Sequence, residues 1–346
     1  MLSAGFGHDF FVIFVQKDHV FSRSNHLFWL PLRRKTIKMT LQQLEYIIAV
    51  DQWKHFAKAA DYCEVTQPTL SAMIQKLEDE LGIKVFDRSR QPIEPTQAGR
   101  EIIAQAKRVM AEARRLRALA EEEKQSVTGV FNLGVLPTIA PYLMPRFFPQ
   151  LMRQHPEMDI RVVEMKTSDM KRALQRGELD AAILARVDGL EKMTCETLFY
   201  EQFFAYVAKG DALFNNTSIR TADLSGEFLW LLDEGHCFSD QLVKYCQLKA
   251  ARHSKRSYRL GSIETFMRIV EGGKGVTFIP ELATYQLVES QKALVKPFAL
   301  PVPTREIVMM TTSGFIRKHL LAIIVDAIRR SVPPSMLTLR TTQQTV

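Results

Sequence analysis

The sequence predicts a multidomain α + α/β chain: a small helical unit carrying a β-hairpin, then one long helix, then a larger α/β region. Three observations carry this. Between residues 41 and 82 apolar side chains recur at helical spacing, and a proline-rich hairpin pattern follows. From Gln97 to Lys124 helix formers run without a proline. From Gly129 onward short β-rich runs alternate with helical stretches, the pattern of a sheet with helices on both faces. The expected boundaries are 1–38 for a leader, 39–98 for the hairpin-bearing helical unit, 99–128 for the linker helix and 129–346 for the α/β region.

Composition sets the class. A chain of 346 residues, 46% hydrophobic and 24% charged, has the core of a globular protein of more than one unit. No apolar run approaches the ~18 residues that cross a bilayer, so no membrane partner is expected. Four cysteines make neither a disulfide scaffold nor a zinc motif. A reducing cytoplasm is their natural setting, and neither metal nor cofactor is expected. The net charge of +8 invites a nucleic-acid reading, but its distribution does not support one: residues 1–38 carry +4, 39–98 carry −3, 99–128 carry +2 and 129–346 carry +5. DNA binding must therefore come from geometry. Residues 1–38 mix aromatic and basic side chains without periodicity, and Arg33-Arg34-Lys35 follows the apolar part instead of preceding it as in a signal peptide. They read as a non-native or disordered leader ahead of a start near Met39.

Leu44, Ile47 and Ile48 form one apolar stripe, and Phe56, Ala57, Ala60 and Cys63 a second. Thr66 then suits a helix N-cap, with Pro68 tolerated in the first turn. Leu70, Ile74, Leu77 and Leu81 mark an inward face, and Gly82 a C-cap. The outer face keeps Gln67, Thr69, Ser71, Gln75 and Lys76, small or amide-bearing groups near a helix N-terminus, where a helix-turn-helix meets bases and phosphates. A solvated face on any three-helix bundle looks the same. What favours the first reading is Val85 to Thr96, a hairpin with Arg88 and Arg90 at its tip, placed to act as a wing against phosphates or the minor groove.

Residues 39–99 closely resemble the N-terminal domain of LysR-type regulators. The match runs Leu44-x-Tyr46, Phe56-x-x-Ala59-Ala60, Thr66-Gln67-Pro68-x-Leu70-Ser71, Leu77-Glu78-x-x-Leu81-Gly82-x-x-x-Phe86-x-Arg88 and Thr96-x-Ala98-Gly99. Glu94-Pro95 departs from the apolar pair usual there. The resemblance implies a winged helix-turn-helix on double-stranded DNA, with Thr66, Gln67, Pro68, Thr69, Ser71, Gln75, Lys76, Arg88 and Arg90 as the contact set and RNA polymerase as a partner.

Behind it, Ile102, Ala106, Val109, Ala113, Leu116 and Ala120 fall at 4-3-4-3-4 spacing, a heptad seam on a helix about 40 Å long. A long helix packed on its own domain competes with a paired helix. Pairing is preferred because two recognition helices one DNA turn apart need a two-fold partner, and the resemblance implies a homodimer associating to a homotetramer.

In the α/β region, residues 130–135, 160–164 and 179–184 read as strands, expected to be parallel. The resemblance implies a periplasmic-binding-protein-like regulatory domain of two α/β subdomains, I (129–199 and 301–335) and II (200–300), around a cleft. Cys63 and Cys195 read as packing cysteines. Cys237 differs, flanked by His236 and Asp240, polar neighbours that favour a reactive thiolate. From the residues alone, a redox role and a structural pair with Cys246 both stand.

Gly235-His236-Cys237-x-x-Asp240-Gln241 with Cys246 is similar to the peroxide-sensing members of the LysR family, as are Leu136-Pro137-Thr138-x-x-Pro141-Tyr142-Leu143, Ser262-x-Glu264-Thr265 and Pro280-x-Leu282-Ala283. That resemblance spans about residues 39–330. It implies hydrogen peroxide as signal, Cys237 as the peroxidatic and Cys246 as the resolving residue, and a peroxide pocket of Thr138, Thr167, His236, Asp240 and Arg305. Were residues 237–246 helical, the two cysteines would face opposite ways about 13 Å apart along the axis, against the roughly 7 Å between Cα atoms that a disulfide allows. Oxidation is therefore predicted to unwind the segment. Competing readings are a regulator answering a small organic effector with incidental cysteines, a thiol peroxidase, and a zinc site at His236, Cys237 and Cys246 that lacks a fourth ligand.

Overall fold

The computed structural model describes residues 38–191, 193–224, 229–232 and 262–346, with Gln241, Tyr245 and the backbone of 15–16 and 19–20. Within the leader, Val15–Gln16 (β1) and His19–Val20 (β2) pair antiparallel, a strand pair that the aperiodic sequence there did not predict. The chain divides into two compact units, Met1–Ile103 and Ala104–Val346.

The front unit is a three-helix bundle with a hairpin. Helix α1 (Leu41–Trp53) starts in a capping box: Thr40 accepts from the Gln43 N–H, and the Gln43 side chain accepts from the Thr40 N–H. Gln43 is itself buried, and its Nε2 donates to the Met73 carbonyl at 3.2 Å, tying α1 to the third helix. Helix α2 (Phe56–Tyr62) follows, capped by His55. Helix α3 (Gln67–Leu81) ends at Gly82, whose left-handed φ of 69° closes the C-terminus without a Cβ penalty. Leu44, Ile47, Val50, Phe56, Ala60, Leu70, Ile74 and Leu77 fill the core. Leu81, expected on the inward face, is 39% exposed because it is the last helical residue, at the open end of the packed stripe.

The hairpin is narrower than its sequence suggests. Phe86–Asp87 (β3) pairs antiparallel with Glu94–Pro95 (β4) over two residues each. The motif Thr96-x-Ala98-Gly99 has a packing cause. Thr96 Oγ1 accepts from the Gly99 N–H at 2.8 Å and donates to the Lys84 carbonyl at 2.8 Å. A Cβ at Gly99 would stand 1.9 Å from the Val85 carbonyl oxygen, so no side chain fits there.

Helix α4 (Gln97–Glu123) starts two residues before the expected 99 and stops short of 128. Its stretch from Ala104 belongs to the rear unit and packs there: Lys107 Nζ lies 3.8 Å from Glu178, and Ala111 sits against Gly177, where an added Cβ would be 2.6 Å away. Of the expected seam, Ala106 is buried, Ile102, Val109 and Ala113 are half-buried, and Leu116 is 71% exposed with Ala120 also exposed. The first half of the seam is thus partly covered within the chain, and the second half is open.

The rear unit is built on one mixed sheet. Gly129–Val135 (β5), Met158–Glu164 (β6) and Ala181–Ala185 (β7) are parallel, as expected. All five residues of β7 are buried, the continuous apolar run of a central strand. The all-parallel expectation fails beyond them. Met193–Val207 (β8) and Val302–Thr312 (β12) pair antiparallel with each other, and β12 is antiparallel to β7. Leu229–Trp230 (β9), Val276–Pro280 (β10) and Val295–Pro297 (β11) complete the far side, and Gln343–Thr345 (β13) lies parallel to the start of β12. The order is β6-β5-β7-β12-β8-β10-β9, with β11 also on β8 and β13 also on β12. Strand β8 pairs with β12 through Gln202 and with β10 from Phe203, so one long strand serves two sets of neighbours. Helices α5 (Ala140–Gln154), α6 (Thr167–Gln175), α7 (Ile263–Glu271), α8 (Glu281–Thr284), α9 (Glu289–Lys292) and α10 (Lys318–Ser331) surround it, with α5 packed on α10.

Candidate functional site

The surface expected to contact DNA starts at the N-cap of α3. Thr66 Oγ1 accepts from the Thr69 N–H, which sets the helix start and leaves Thr66, Gln67, Pro68 and Thr69 exposed around it. Lys76 is exposed one face further on, and Ser71 and Gln75 are half-buried. Gln75 Nε2 donates to Asp79 at 2.6 Å. Of the expected outer-face set on the helix, Gln67, Thr69 and Lys76 are therefore exposed, with Ser71 and Gln75 at the flanks of the buried stripe.

Both wing arginines have partners within the front unit. The Arg88 guanidinium lies 5.3 Å from the Phe56 ring centroid, 3.5 Å from Ser71 Oγ on α3 and 3.5 Å from Glu78. Arg90 pairs with Asp87 at 3.1 Å and Glu94 at 3.2 Å across the hairpin. Sequence reasoning missed Glu78, whose carboxylate is buried. One oxygen accepts from the Val85 and Phe86 N–H groups, and the other faces Lys84 and Arg88. Its burial is tolerable because each oxygen is hydrogen-bonded or paired. Glu78 thus fixes the hairpin to α3.

In the rear unit, Thr138 follows β5 and Thr167 opens α6 after β6, so both stand beyond the C-terminal ends of neighbouring parallel strands, where open α/β sheets place ligands. Arg305 on β12 is fully buried. Its Nε and Nη2 meet Glu201 of β8 at 2.9 and 2.7 Å, Nη1 donates to Thr138 Oγ1 at 3.2 Å, and Nη2 donates to the Thr138 carbonyl at 3.1 Å. The ring centroid of Phe203 lies 5.8 Å from its guanidinium carbon. Glu201 Oε1 accepts from the Leu282 N–H at 3.0 Å. An unpaired buried guanidinium would cost several kcal/mol, and this carboxylate and carbonyl offset it. Because Thr138 Oγ1 accepts from Arg305, its own proton stays available for donation. Arg305 therefore fixes the position of Thr138.

Nearby, the Tyr142 hydroxyl on α5 donates to Glu264 of α7 at 2.9 Å. Burial first, then the Glu264 charge, raises the Tyr142 phenol well above its ordinary range, so it remains a donor.

Thr167 has a different setting. Its Oγ1 is buried without a hydrogen-bond partner among the described residues and lines a cavity of about 970 Å³ together with Ser168, Arg186, Cys195, Gln241 and Glu306. Thr138 and Arg305 are not on that wall. Burial pushes the Cys195 thiol up, with Arg186 pulling the other way, which favours the protonated and unreactive form. Burial also raises the Cys63 thiol, and the Glu45 charge adds to it. Gln241, quoted in a sequence motif without a role, is 8% exposed, and its Nε2 donates to the Arg186 carbonyl at 3.1 Å and to the Val346 oxygen at 2.8 Å. His236, Cys237, Asp240 and Cys246 lie outside the described residues, and no group of metal-ligating side chains occurs among the described ones.

Residues 41–100 match the bacterial regulatory helix-turn-helix protein model of the lysR family, and residues 124–333 match the LysR substrate binding domain. The chain belongs to the LysR family. Among its curated relatives, the hydrogen peroxide-inducible genes activator of Pectobacterium carotovorum is 33% identical, covering 87% of this chain and 99% of that protein. The DNA-binding transcriptional dual regulator OxyR of Escherichia coli K12 is 33% identical over 84% of this chain and 95% of its own length. A solved full-length OxyR variant from Pseudomonas aeruginosa is 35% identical, with a TM-score of 0.68 over 85% of this LysR-family chain and 96% of that one. A solved OxyR from Porphyromonas gingivalis is 44% identical, with a TM-score of 0.60 over 63% of this chain and 99% of that one.

Proposed function

We propose that this LysR-family chain is a cytoplasmic, DNA-binding transcription regulator that senses hydrogen peroxide through Cys237 and Cys246. One observation carries the reading. Similarity to hydrogen peroxide-inducible genes activators runs through nearly the full length of those relatives, and this chain presents an accessible recognition helix together with a buried Arg305 that orients Thr138. Thr66, Gln67, Pro68, Thr69, Ser71, Gln75 and Lys76 meet the major groove, with Arg88 and Arg90 beside the phosphates. The chain acts as a homodimer associating to a homotetramer, paired in part along the open stretch of α4 around Leu116, and works with RNA polymerase.

The chemistry is a two-step oxidation. The Cys237 thiolate attacks one peroxide oxygen, the O–O bond breaks, and the departing hydroxide takes a proton to become water, leaving a sulfenic acid. The Cys246 thiolate then attacks the sulfenic sulfur, and the leaving hydroxide is protonated to a second water as the disulfide forms. Two thiols and one peroxide give one disulfide and two waters. Thr138, Thr167, His236 and Asp240 bind the peroxide and stabilise the developing charge, with Arg305 holding Thr138. No turnover by a dedicated reductant is implied, in keeping with relatives named as regulators and not as peroxidases.

Peptide mapping after one equivalent of peroxide tests this: a linked Cys237–Cys246 peptide should appear and vanish with reductant. Free thiols at both positions after peroxide treatment overturn it. A second reading draws on the cavity beside Thr167, whose 970 Å³ exceeds what a peroxide needs and suits a small organic effector. On that reading Cys237→Ser leaves peroxide induction unchanged, and a metabolite shifts DNA binding.

A further inference from the structure

Residues 39–98 carry a net charge of −3, so the few cations free to meet a phosphate decide where backbone contacts fall. Six basic side chains lie in that stretch. Four are paired with carboxylates of the same unit: Lys54 with Asp51 at 2.7 Å, Lys84 and Arg88 with Glu78 at 3.3 and 3.5 Å, and Arg90 with Asp87 and Glu94. Lys58 and Lys76 are exposed and have no acidic partner among the described residues. Lys76 belongs to the expected outer face of α3. Lys58, on the first turn of α2, lies outside that set.

The hairpin brings its arginines to this turn. The Ile93 N–H donates to the Lys54 carbonyl at 3.2 Å, just ahead of α2, and the Arg88 guanidinium lies 5.3 Å from the ring centroid of Phe56, the first residue of α2. The hairpin thus grips the chain on both sides of His55. Arg88 also approaches Ser71 Oγ at 3.5 Å, so it stands where hairpin, α2 and α3 meet. His55 is exposed, and its Nδ1 accepts from the Ala57 and Lys58 N–H groups at 3.2 and 3.4 Å. Those two backbone donors are therefore used within the chain, and any ligand here must be met by side chains. An accepting Nδ1 places the ring proton on Nε2, the nitrogen remote from the cap. His55 and Lys58 are three residues apart and share one face of the turn.

We propose that His55 and Lys58 hold a backbone phosphate of duplex DNA, Lys58 through its charged Nζ and His55 through its Nε2–H. The proposal rests on the DNA-binding reading above and extends its contact set from α3 and the hairpin to α2. In a helix-turn-helix the helix before the recognition helix crosses the DNA backbone, where an unpaired lysine and an outward ring donor find phosphate oxygens. Contacts of this kind fix the register of α3 in the groove and carry no sequence preference.

The test uses the full-length reduced protein and two duplexes, one selected by that protein from a random pool and one of unrelated sequence, titrated over a series of salt concentrations. Lys58→Ala should weaken both by the same factor, roughly tenfold. It should also flatten the dependence of log affinity on log salt by about one for each front unit on the duplex, and Lys58→Arg should restore that slope. His55→Asn keeps a good helix cap on a shorter side chain. It should weaken both duplexes severalfold with the slope unchanged, since a neutral ring displaces no counterion. In duplexes carrying one uncharged methylphosphonate at successive positions, one position per front unit should weaken the unaltered protein and leave Lys58→Ala indifferent. Alanine suits an exposed helical position, and equal thermal unfolding of the variants checks that the fold is kept. An unchanged salt slope in Lys58→Ala, or identical methylphosphonate profiles in the two proteins, overturns the Lys58 contact. Unchanged affinity in His55→Asn reduces His55 to a cap and overturns its contact. Loss of binding confined to Gln67→Ala and Arg88→Ala overturns the α2 contacts alone, whereas failure of the unaltered chain to bind any duplex overturns the DNA-binding reading with them.

Discussion

The front and rear units each turn on a buried carboxylate, and they recruit it in opposite ways. Glu78 gathers its partners from nearby sequence: two backbone N–H groups seven and eight residues on, and Arg88 ten residues on. Glu201 pairs with an arginine 104 residues away and accepts from a backbone N–H 81 residues away. A local clamp fixes the angle of one hairpin against one helix. A long-range clamp fixes two strands, β8 and β12, and the Thr138 loop beyond β5. The packing of the hairpin on α3 is thus set by a short stretch of chain, whereas the setting of Thr138 depends on strands far apart in sequence.

That contrast is open to measurement. The largest effect is expected at Arg305. Arg305→Ala leaves Glu201 buried and unpaired and should cost the rear unit about 3–5 kcal/mol in urea unfolding, with Arg305→Met plus Glu201→Leu recovering part of the loss. A loss below roughly 1 kcal/mol for the single variant would mean that the pair does not hold the sheet. Glu78→Gln should cost less, about 1–3 kcal/mol, and should weaken DNA binding more than it weakens the rear unit. Retained DNA affinity in that variant breaks the link between hairpin and recognition helix.

The smallest effect is at Glu306, and it depends on pH. Burial pushes its carboxyl up, but hydrogen bonds from Arg186 and Thr197, with the Arg186 charge, outweigh that and hold it below the ordinary 4.5. A carboxylate whose folded value is depressed contributes stability above its unfolded value and loses it as pH falls through the folded value. Glu306→Gln should therefore cost at most about 1 kcal/mol near neutrality, since Arg186 is 42% exposed and screened by solvent. The difference from the unaltered chain should shrink below pH 4.5 and vanish under the lowered value. A difference that persists unchanged in acid contradicts the assignment.

The same contrast explains what was legible in the sequence. The helices of the front unit, the cap at Thr66 and the stop at Gly82 follow from spacing and residue type, because capping and amphipathic periodicity act within a few residues. Strands β5 and β7 are visible as apolar-rich runs for the same reason, and β6 through Ile160, Val162 and Val163. The antiparallel place of β12 is not, since its partners on β8 lie about a hundred positions away and nothing local encodes their pairing. Glu78 and Gln241 fall within family motifs without a role, because a buried carboxylate and a buried amide declare themselves only once their partners are in place. Arg305 is reached through resemblance, and its geometry shows a side chain that orients Thr138. Leu81 shows the limit of periodicity: the spacing is right, but the helix ends there.

The most direct test of the central claim is a footprint on a duplex selected by the reduced protein from a random pool, comparing the unaltered protein with Cys237→Ser, reduced and after a peroxide pulse. Peroxide should change the protected pattern of the unaltered protein and leave that of Cys237→Ser fixed in its reduced form. An equal peroxide-driven change in Cys237→Ser, or no change in either protein, contradicts peroxide sensing through this cysteine.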